Sequence, residues 1–255
     1  RQLDLRYEAR AALRGGELRM VYQPIYNLRL GTCVGAEALI RWTRRDGSEL
    51  RPDLFLPIAE EAGFMHEITA FAIKSVCIDM GEALRANPNF HVSVNLSAQD
   101  LLNGSLVALL QSMLARADIE AKSIWLEITE RALVTPEQSR DTLTALRDAG
   151  HHIAIDDFGT GYSSLQYLQT LPIDALKIDK SFVDTVGMQT ANASVIHHII
   201  ELGNALKLIL VAEGIEHRHQ VDYLKSRGVP CGQGYFFSKP LEPADLLLLL
   251  HAAPN

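Results

Sequence analysis

Cysteine is scarce in this chain. The three residues, Cys33, Cys77 and Cys231, are widely separated and odd in number. That excludes a full disulfide framework and any Cys-x-x-Cys metal site, and it points to a reducing compartment. Basic residues are in deficit too. The 255 residues carry 31 acidic against 24 basic side chains, a net charge of −7, which argues against broad electrostatic binding of DNA or RNA. Long apolar runs are also missing. The two most apolar windows are 195–212 and 244–253. The first is interrupted by His197, His198, Glu201 and Lys207, and the second is too short to span a bilayer. No signal-peptide pattern opens the chain, so a soluble domain on the cytoplasmic side is expected. The chain begins with Arg1 in place of methionine and enters a helical pattern directly. This reads as a domain excised from a longer protein, in which a membrane or sensor segment can lie upstream.

What the chain does have is apolar bulk, 47% of its residues, arranged in a regular alternation. Helical patterns occupy 1–14, 53–62, 66–85, 99–117, 136–149, 191–205, 217–226 and 243–251. Strand patterns occupy 18–25, 33–42, 91–96, 123–129, 152–156, 175–178, 208–212 and 234–237. A polar loop with an Asp46-Gly47 turn fills 43–53. The strands are short and apolar, as strands buried on both faces are. Eight of them with helices between favour a (β/α)8 barrel over an open sheet. With no linker, low-complexity tract or short repeat to divide it, the chain reads as one domain spanning 1–255.

In such barrels the chemistry collects at the C-terminal ends of the strands. Read in order, those ends carry Glu37 and Arg41 in EALIRW, Asn95 in VNLS, Glu127 in LEITE and Asp156-Asp157 in AIDDFGTGYSS. They continue with Lys177 in LKID, Glu213 in VAEG and Gln233 in GQGYFF. Five carboxylates on one face repel one another unless a cation joins them. Hard divalent ions such as Mg²⁺ and Mn²⁺ take such oxygen ligands. Adjacent aspartates suit two ions roughly 3.5–4 Å apart, because one carboxylate can bridge while its neighbour serves the second ion. Five carboxylates and two dications nearly cancel, and Lys177 with Arg41 then makes the site receptive to a phosphate. That balance suits phosphodiester hydrolysis by in-line attack of a metal-activated water.

The ordered set YQPI, EALIRW, VNLS, LEITE, IDDFGTGYSSL, LKIDKSF, AEGIE and GQGYFFSKPL resembles the EAL-domain cyclic di-GMP phosphodiesterases over essentially the whole chain. The resemblance implies a modified TIM barrel whose first strand is antiparallel, two Mg²⁺ or Mn²⁺ ions with Ca²⁺ inhibitory, and hydrolysis of cyclic di-GMP to linear pGpG. It places Glu37, Asn95, Glu127 and Asp156 around one metal. Asp156 bridges to a second, beside Asp157 and with Glu213 direct or through water. Lys177, Glu213 and Gln233 then form the catalytic set, and Gln23, Arg41, Lys177 and Asp179 the substrate-binding set. Glu130 matches the glutamate that braces the loop after the fifth strand. That loop, Phe158, Gly159, Thr160, Gly161, Tyr162, Ser163 and Ser164, is tied in the family to homodimer formation. Sensor or GGDEF-type domains upstream are the implied partners. The one departure is Val229-Pro230, where the family usually has Cys-Asp.

Other readings of these residues fail on specific points. Asp-Phe-Gly at 157–159 is a kinase signature, but no Val-Ala-Ile-Lys or His-Arg-Asp element precedes it. Gly159 and Gly161 begin a dinucleotide fingerprint that Ser164 breaks. Lys177 alone reads equally as a salt-bridge partner of Asp179, and any single strand-end carboxylate as a solvated cap. Their joint appearance on successive strands is what favours chemistry. A catalytically silent receptor for the same dinucleotide is the alternative from another class. Such receptors typically lack one or more of the metal ligands, the lysine or the loop sequence, all of which are present here.

Overall fold

The order of the elements explains why the sheet closes. The computed structural model describes residues 2–133, 136–159, 165–188 and 195–252. Its strands are β1 (Leu18–Asn27), β2 (Cys33–Thr43), β3 (Glu49–Leu50), β4 (His91–Leu96), β5 (Ile124–Thr129), β6 (His152–Phe158), β7 (Ala175–Ile178), β8 (Ile209–Ala212) and β9 (Cys231–Gly232). In space they run β1-β9-β8-β7-β6-β5-β4-β2-β3, and β1 also pairs with β2. The eight strands other than β3 therefore close into a barrel, and β3 is a short flap on β2. Pairing is parallel from β2 through β4 to β9, whereas β1 runs antiparallel to both its neighbours.

The reversal of β1 has a local cause. A parallel pair needs a long crossover, but only 28–32 separate β1 from β2. Asn27 makes that tight turn: its side-chain oxygen accepts from the backbone N–H groups of Arg29 and Leu30, and Gly31 sits at φ +72°. A hairpin results.

Outside the barrel, helices pack by their apolar stripes. The helix Met65–Ala86 buries Ile68, Ala72, Ile73, Val76, Met80 and Leu84. The helix Leu106–Ala117 buries Leu106, Leu110 and Leu114, one residue every fourth position. Among the described residues no helix is long and apolar enough to cross a membrane.

Two expected elements differ. The helical pattern over 99–117 is two helices, Ala98–Leu101 and Leu106–Ala117. Ser97 caps the first by accepting from Asp100 N–H, and the Asn103-Gly104 pair intervenes before the second. The eighth barrel strand is Cys231–Gly232, not 234–237. Gly234 packs so closely on Ile215 that a Cβ there would lie 2.2 Å from backbone atoms. The chain turns at that point, with Phe237 and Ser238 N–H both donating to the Gly234 carbonyl. The helix expected over 191–205 is described over Val195–Ala205.

Alternation along the strands sorts the barrel interior into layers. Gly35 and Glu37 share a face of β2, His91, Ser93 and Asn95 a face of β4, and Trp125 and Glu127 a face of β5. Registers join these faces: Gly35 opposite His91, Glu37 opposite Ser93, Asn95 opposite Glu127, and Trp125 opposite His152. At the N-terminal end the rings of His91 and Trp125 stack at 4.1 Å, and Trp125 meets His152 at 5.0 Å. Gly35 is required there, since a Cβ on it would lie 2.4 Å from the His91 ring.

Candidate active site

At the opposite end of the same faces lies charge. Glu37, Glu127 and Lys177 are all but inaccessible, at 6%, 2% and 1% exposure, so their charges must be met within the protein. Lys177 Nζ meets them. It lies 2.6 Å from Glu127 Oε2, 2.8 Å from Glu213 Oε1, 3.1 Å from Glu37 Oε2 and 3.2 Å from Asp156 Oδ1. Burial alone would push the ammonium to lose its proton; four carboxylates overcome that and hold it well above its ordinary value.

The carboxylates are affected unequally. Burial raises Glu127 to about 8, helped by the Glu37 and Asp156 charges and only partly offset by Lys177. Burial likewise lifts Glu213 well above the usual range. Glu37 is buried as deeply but is held below its ordinary value, because Lys177 and hydrogen bonds from Gln233 and Asn95 favour its charged form. The site thus holds more carboxyl groups than one ammonium can keep ionised.

Asp156 and Asp157 reach the mouth through a backbone irregularity. Strict alternation would send neighbours to opposite faces. Here the β6–β7 register shifts between Ile155 and Phe158, and Asp157 takes a left-handed backbone with φ +53°, rare for a residue other than glycine. The Asp157 N–H donates to Asp156 Oδ1 at 2.9 Å. Burial and the charges of Asp156 and Asp179 raise Asp157 above its normal value. After the bulge, Gly159 at φ +93° approaches the Phe182 ring to within what a Cβ would find 2.9 Å, and its N–H donates to buried Glu130 Oε2 at 3.1 Å. Phe158 is buried; Thr160, Gly161, Tyr162, Ser163 and Ser164 lie outside the described residues.

Oxygens for a cation are grouped. Glu37, Glu127 and Asp156 each place one carboxylate oxygen within 4.8 Å of the others, and so do Asp156, Asp157 and Glu213, with Asp156 common to both groups. Asn95 spends its amide nitrogen on Glu37 Oε1 at 3.0 Å, so its carbonyl oxygen is the donor that remains. Gln233 donates from Nε2 to Glu37 Oε2 at 2.7 Å and Glu213 Oε1 at 2.8 Å. Its buried Oε1 has no hydrogen-bond partner among the described residues. An acceptor left over inside an acidic cluster needs a donor that the protein does not supply, and a cation's hydration shell supplies one. The donor set therefore fits one or two hard divalent ions.

A family profile described as EAL domain matches residues 6–240. The chain belongs to the EAL domain family. It is 45% identical over 236 residues to the probable cyclic di-GMP phosphodiesterase PdeB of Escherichia coli K12, covering 92% of this chain and 45% of that protein. It is 37% identical over 253 residues to the cyclic di-GMP phosphodiesterase NbdA of Pseudomonas aeruginosa PAO1, covering 98% and 32%. The chain thus spans less than half the length of these two curated relatives. Among solved structures, the EAL enzyme Bd1971 in its cAMP- and cyclic-di-GMP-bound form superposes with a TM-score of 0.93 at 35% identity, over 98% of this chain and 69% of that one. The PaMucR phosphodiesterase in complex with c-di-GMP gives 0.90 at 34%, over 95% and 99%. The closed barrel with one reversed strand is the fold these EAL structures share with this chain.

The remaining predicted residues border this EAL centre. Gln23 faces Glu37 across the β1–β2 pair, and its Nε2 donates to the Ser238 carbonyl at 2.5 Å. Arg41 separates two cavities. One, of about 260 Å³, is mostly apolar and includes Pro52, Leu56, Met65 and Asn95 in its wall. The other, of about 390 Å³, is walled by Gln23, Lys180, Gln233 and Tyr235 among others. Asp179 caps the short helix Lys180–Val183 through Ser181, so one of its oxygens is already engaged. Lys180 and Tyr235 escaped the sequence reading. Tyr235 is 60% exposed at the cavity rim, with Lys239 Nζ 5.5 Å from its ring centre. Both lie inside quoted motifs, Lys180 in LKIDKSF and Tyr235 in GQGYFF, which were the available signal.

Proposed function

We propose that this domain hydrolyses cyclic di-GMP to linear pGpG, using two divalent ions, Mg²⁺ or Mn²⁺. The observation that carries the reading is the pair of carboxylate groups sharing Asp156 around buried Lys177. Glu37, Asn95, Glu127 and Asp156 would hold one ion, and Asp156, Asp157 and Glu213 the other. When bound, such ions offset phosphoryl charge and make a coordinated water acidic enough to attack near neutral pH.

The protein's own groups perform the rest. Gln233 has an acceptor, Oε1, with which to orient that water, and Glu213, held by Gln233 Nε2 at 2.8 Å, places a carboxyl beside it. Lys177 keeps its proton and provides positive charge at the phosphate. Arg41 stands between two cavities, an arrangement that matches a ligand with two bases joined by phosphates. Tyr235 offers one of those bases an exposed ring face.

Further parts of the reading follow the family. The domain acts on the cytoplasmic side within a longer protein carrying sensor or GGDEF-type segments, and the loop after β6 couples the site to a homodimer. Ca²⁺ inhibits, because its looser coordination spoils in-line geometry; equal rates with Ca²⁺ and Mg²⁺ would count against that.

The test is incubation with cyclic di-GMP and Mg²⁺ or Mn²⁺, with products separated by chromatography and EDTA as control. Metal-dependent appearance of pGpG is expected. Intact nucleotide that remains bound would instead support the receptor reading, which the complete residue set disfavours.

A further inference from the structure

The geometry points to Lys177 as an internal cation that competes with the divalent ion for the Glu37–Glu127–Asp156 oxygens, so that loading of the site proceeds by exchange. This inference rests on the metal-dependent reading above. Every carboxylate of that group touches Lys177 Nζ: Glu127 at 2.6 Å, Glu37 at 3.1 Å and Asp156 at 3.2 Å. Glu213, from the second group, is also in contact at 2.8 Å. The ammonium therefore stands at the centre of the donors and not at their edge.

A small divalent ion binds oxygen at roughly 2.0–2.1 Å. An ion drawn that closely onto the same carboxylates would meet a positive charge within a few ångströms, in a pocket where Lys177 is 1% exposed and water screens little. The two cations cannot share the centre, so Nζ has to withdraw. Its four-carbon stem is flexible enough to let it do so while the backbone of β7 stays in the sheet. The neighbouring amides are set for such an exchange. Gln233 and Asn95 both donate to Glu37, holding that carboxylate in position independently of the lysine.

Two consequences distinguish this arrangement from a lysine that merely lies beside bound ions. Removing the ammonium while conserving volume should tighten binding of the first ion, and adding the ion should move the ammonium itself. The first test measures Mn²⁺ affinity by the loss of the free-ion EPR signal, on EDTA-stripped protein and on its Lys177→Met variant. Lys177→Gln serves as a second neutral variant, and circular dichroism confirms that each is folded. The expected result is a Kd lowered about tenfold or more in both variants, although both lose turnover. The second test follows the Lys177 side-chain ¹H–¹⁵N signal in lysine-labelled protein, assigned by its loss in Lys177→Met, during a Mg²⁺ titration. It should shift or broaden in step with saturation.

Equal or weaker Mn²⁺ binding in the folded neutral variants, or a Lys177 signal that does not respond to saturating Mg²⁺, overturns the exchange while leaving the metal reading intact. Absence of Mn²⁺ binding in both the unmodified protein and the variants overturns the metal reading, and this inference with it.

Discussion

The two ends of the barrel interior are built from the same strand faces and have opposite chemistry. On β4 the inward positions run His91, Ser93, Asn95; on β5, Trp125, Glu127; on β6, His152, Ala154, Asp156. At the N-terminal end these residues form a stack of rings, fitted against a glycine. At the C-terminal end they form a charged cluster around one lysine. The lower end satisfies packing at the expense of chemical options. The upper end accumulates repulsion that packing would never select, with Glu127 and Glu213 pushed upward in pKa by burial. Retaining such a cluster makes sense where the groups have work to do. Barrels of this kind place activity at the C-terminal mouth and stability at the opposite face.

The sharpest way to break the comparison is to mutate one end and look for effects proper to the other. Glu37→Ala should lower turnover by at least the order of 10²–10³ that losing one preorganised electrostatic partner costs. The fold should persist by circular dichroism. Cation affinity at the mouth should also depend on pH. Glu127, raised to about 8, must give up its proton to hold an ion, so binding should strengthen as pH rises toward 8 and release protons. Isothermal titration in buffers of different ionisation enthalpy measures that release, and a pH-independent affinity would contradict it.

Smaller effects are expected below. Gly35→Ala places a methyl 2.4 Å from the His91 ring and should destabilise the protein by about 1–3 kcal/mol, the usual cost of overpacking, with turnover per folded molecule little changed. Denaturant melts and initial rates read the two separately. The smallest effect concerns acid. Burial, aided by the neighbouring His152, lowers His91 from 6.5 to about 3. A depressed histidine is neutral in the fold but charges in the unfolded chain, so its share of stability is complete above 6.5 and is lost as pH falls toward 3. His91→Phe should flatten that part of the stability–pH curve; an unchanged slope would show that His91 does not contribute.

How far the sequence disclosed this arrangement depended on which physical rule governed each piece. Short apolar strands ending in carboxylates, amides or Lys177 made the barrel and its mouth legible, and Ala175–Ile178 was located to the residue. The bulge at Asp156-Asp157 was not legible, because period-two alternation assigns neighbours to opposite faces and only the left-handed backbone overrides it. The strand assigned to 234–237 failed because aromatic residues with β propensity follow a glycine that packs on Ile215 and turns the chain. The ring stack at the lower end went unnoticed because His91, Trp125 and His152 meet only through inter-strand register. The central position of Lys177 likewise needs four separate strand ends to converge, and no local pattern announces that.

The most direct test of the account is the initial rate of pGpG formation from cyclic di-GMP with saturating Mg²⁺, compared between the unmodified protein and Asp156→Ala at equal folded fraction. Asp156 is the carboxylate common to both groups. The account predicts rapid product formation by the first and background by the second. Turnover by folded Asp156→Ala within a few-fold of the unmodified protein would contradict it.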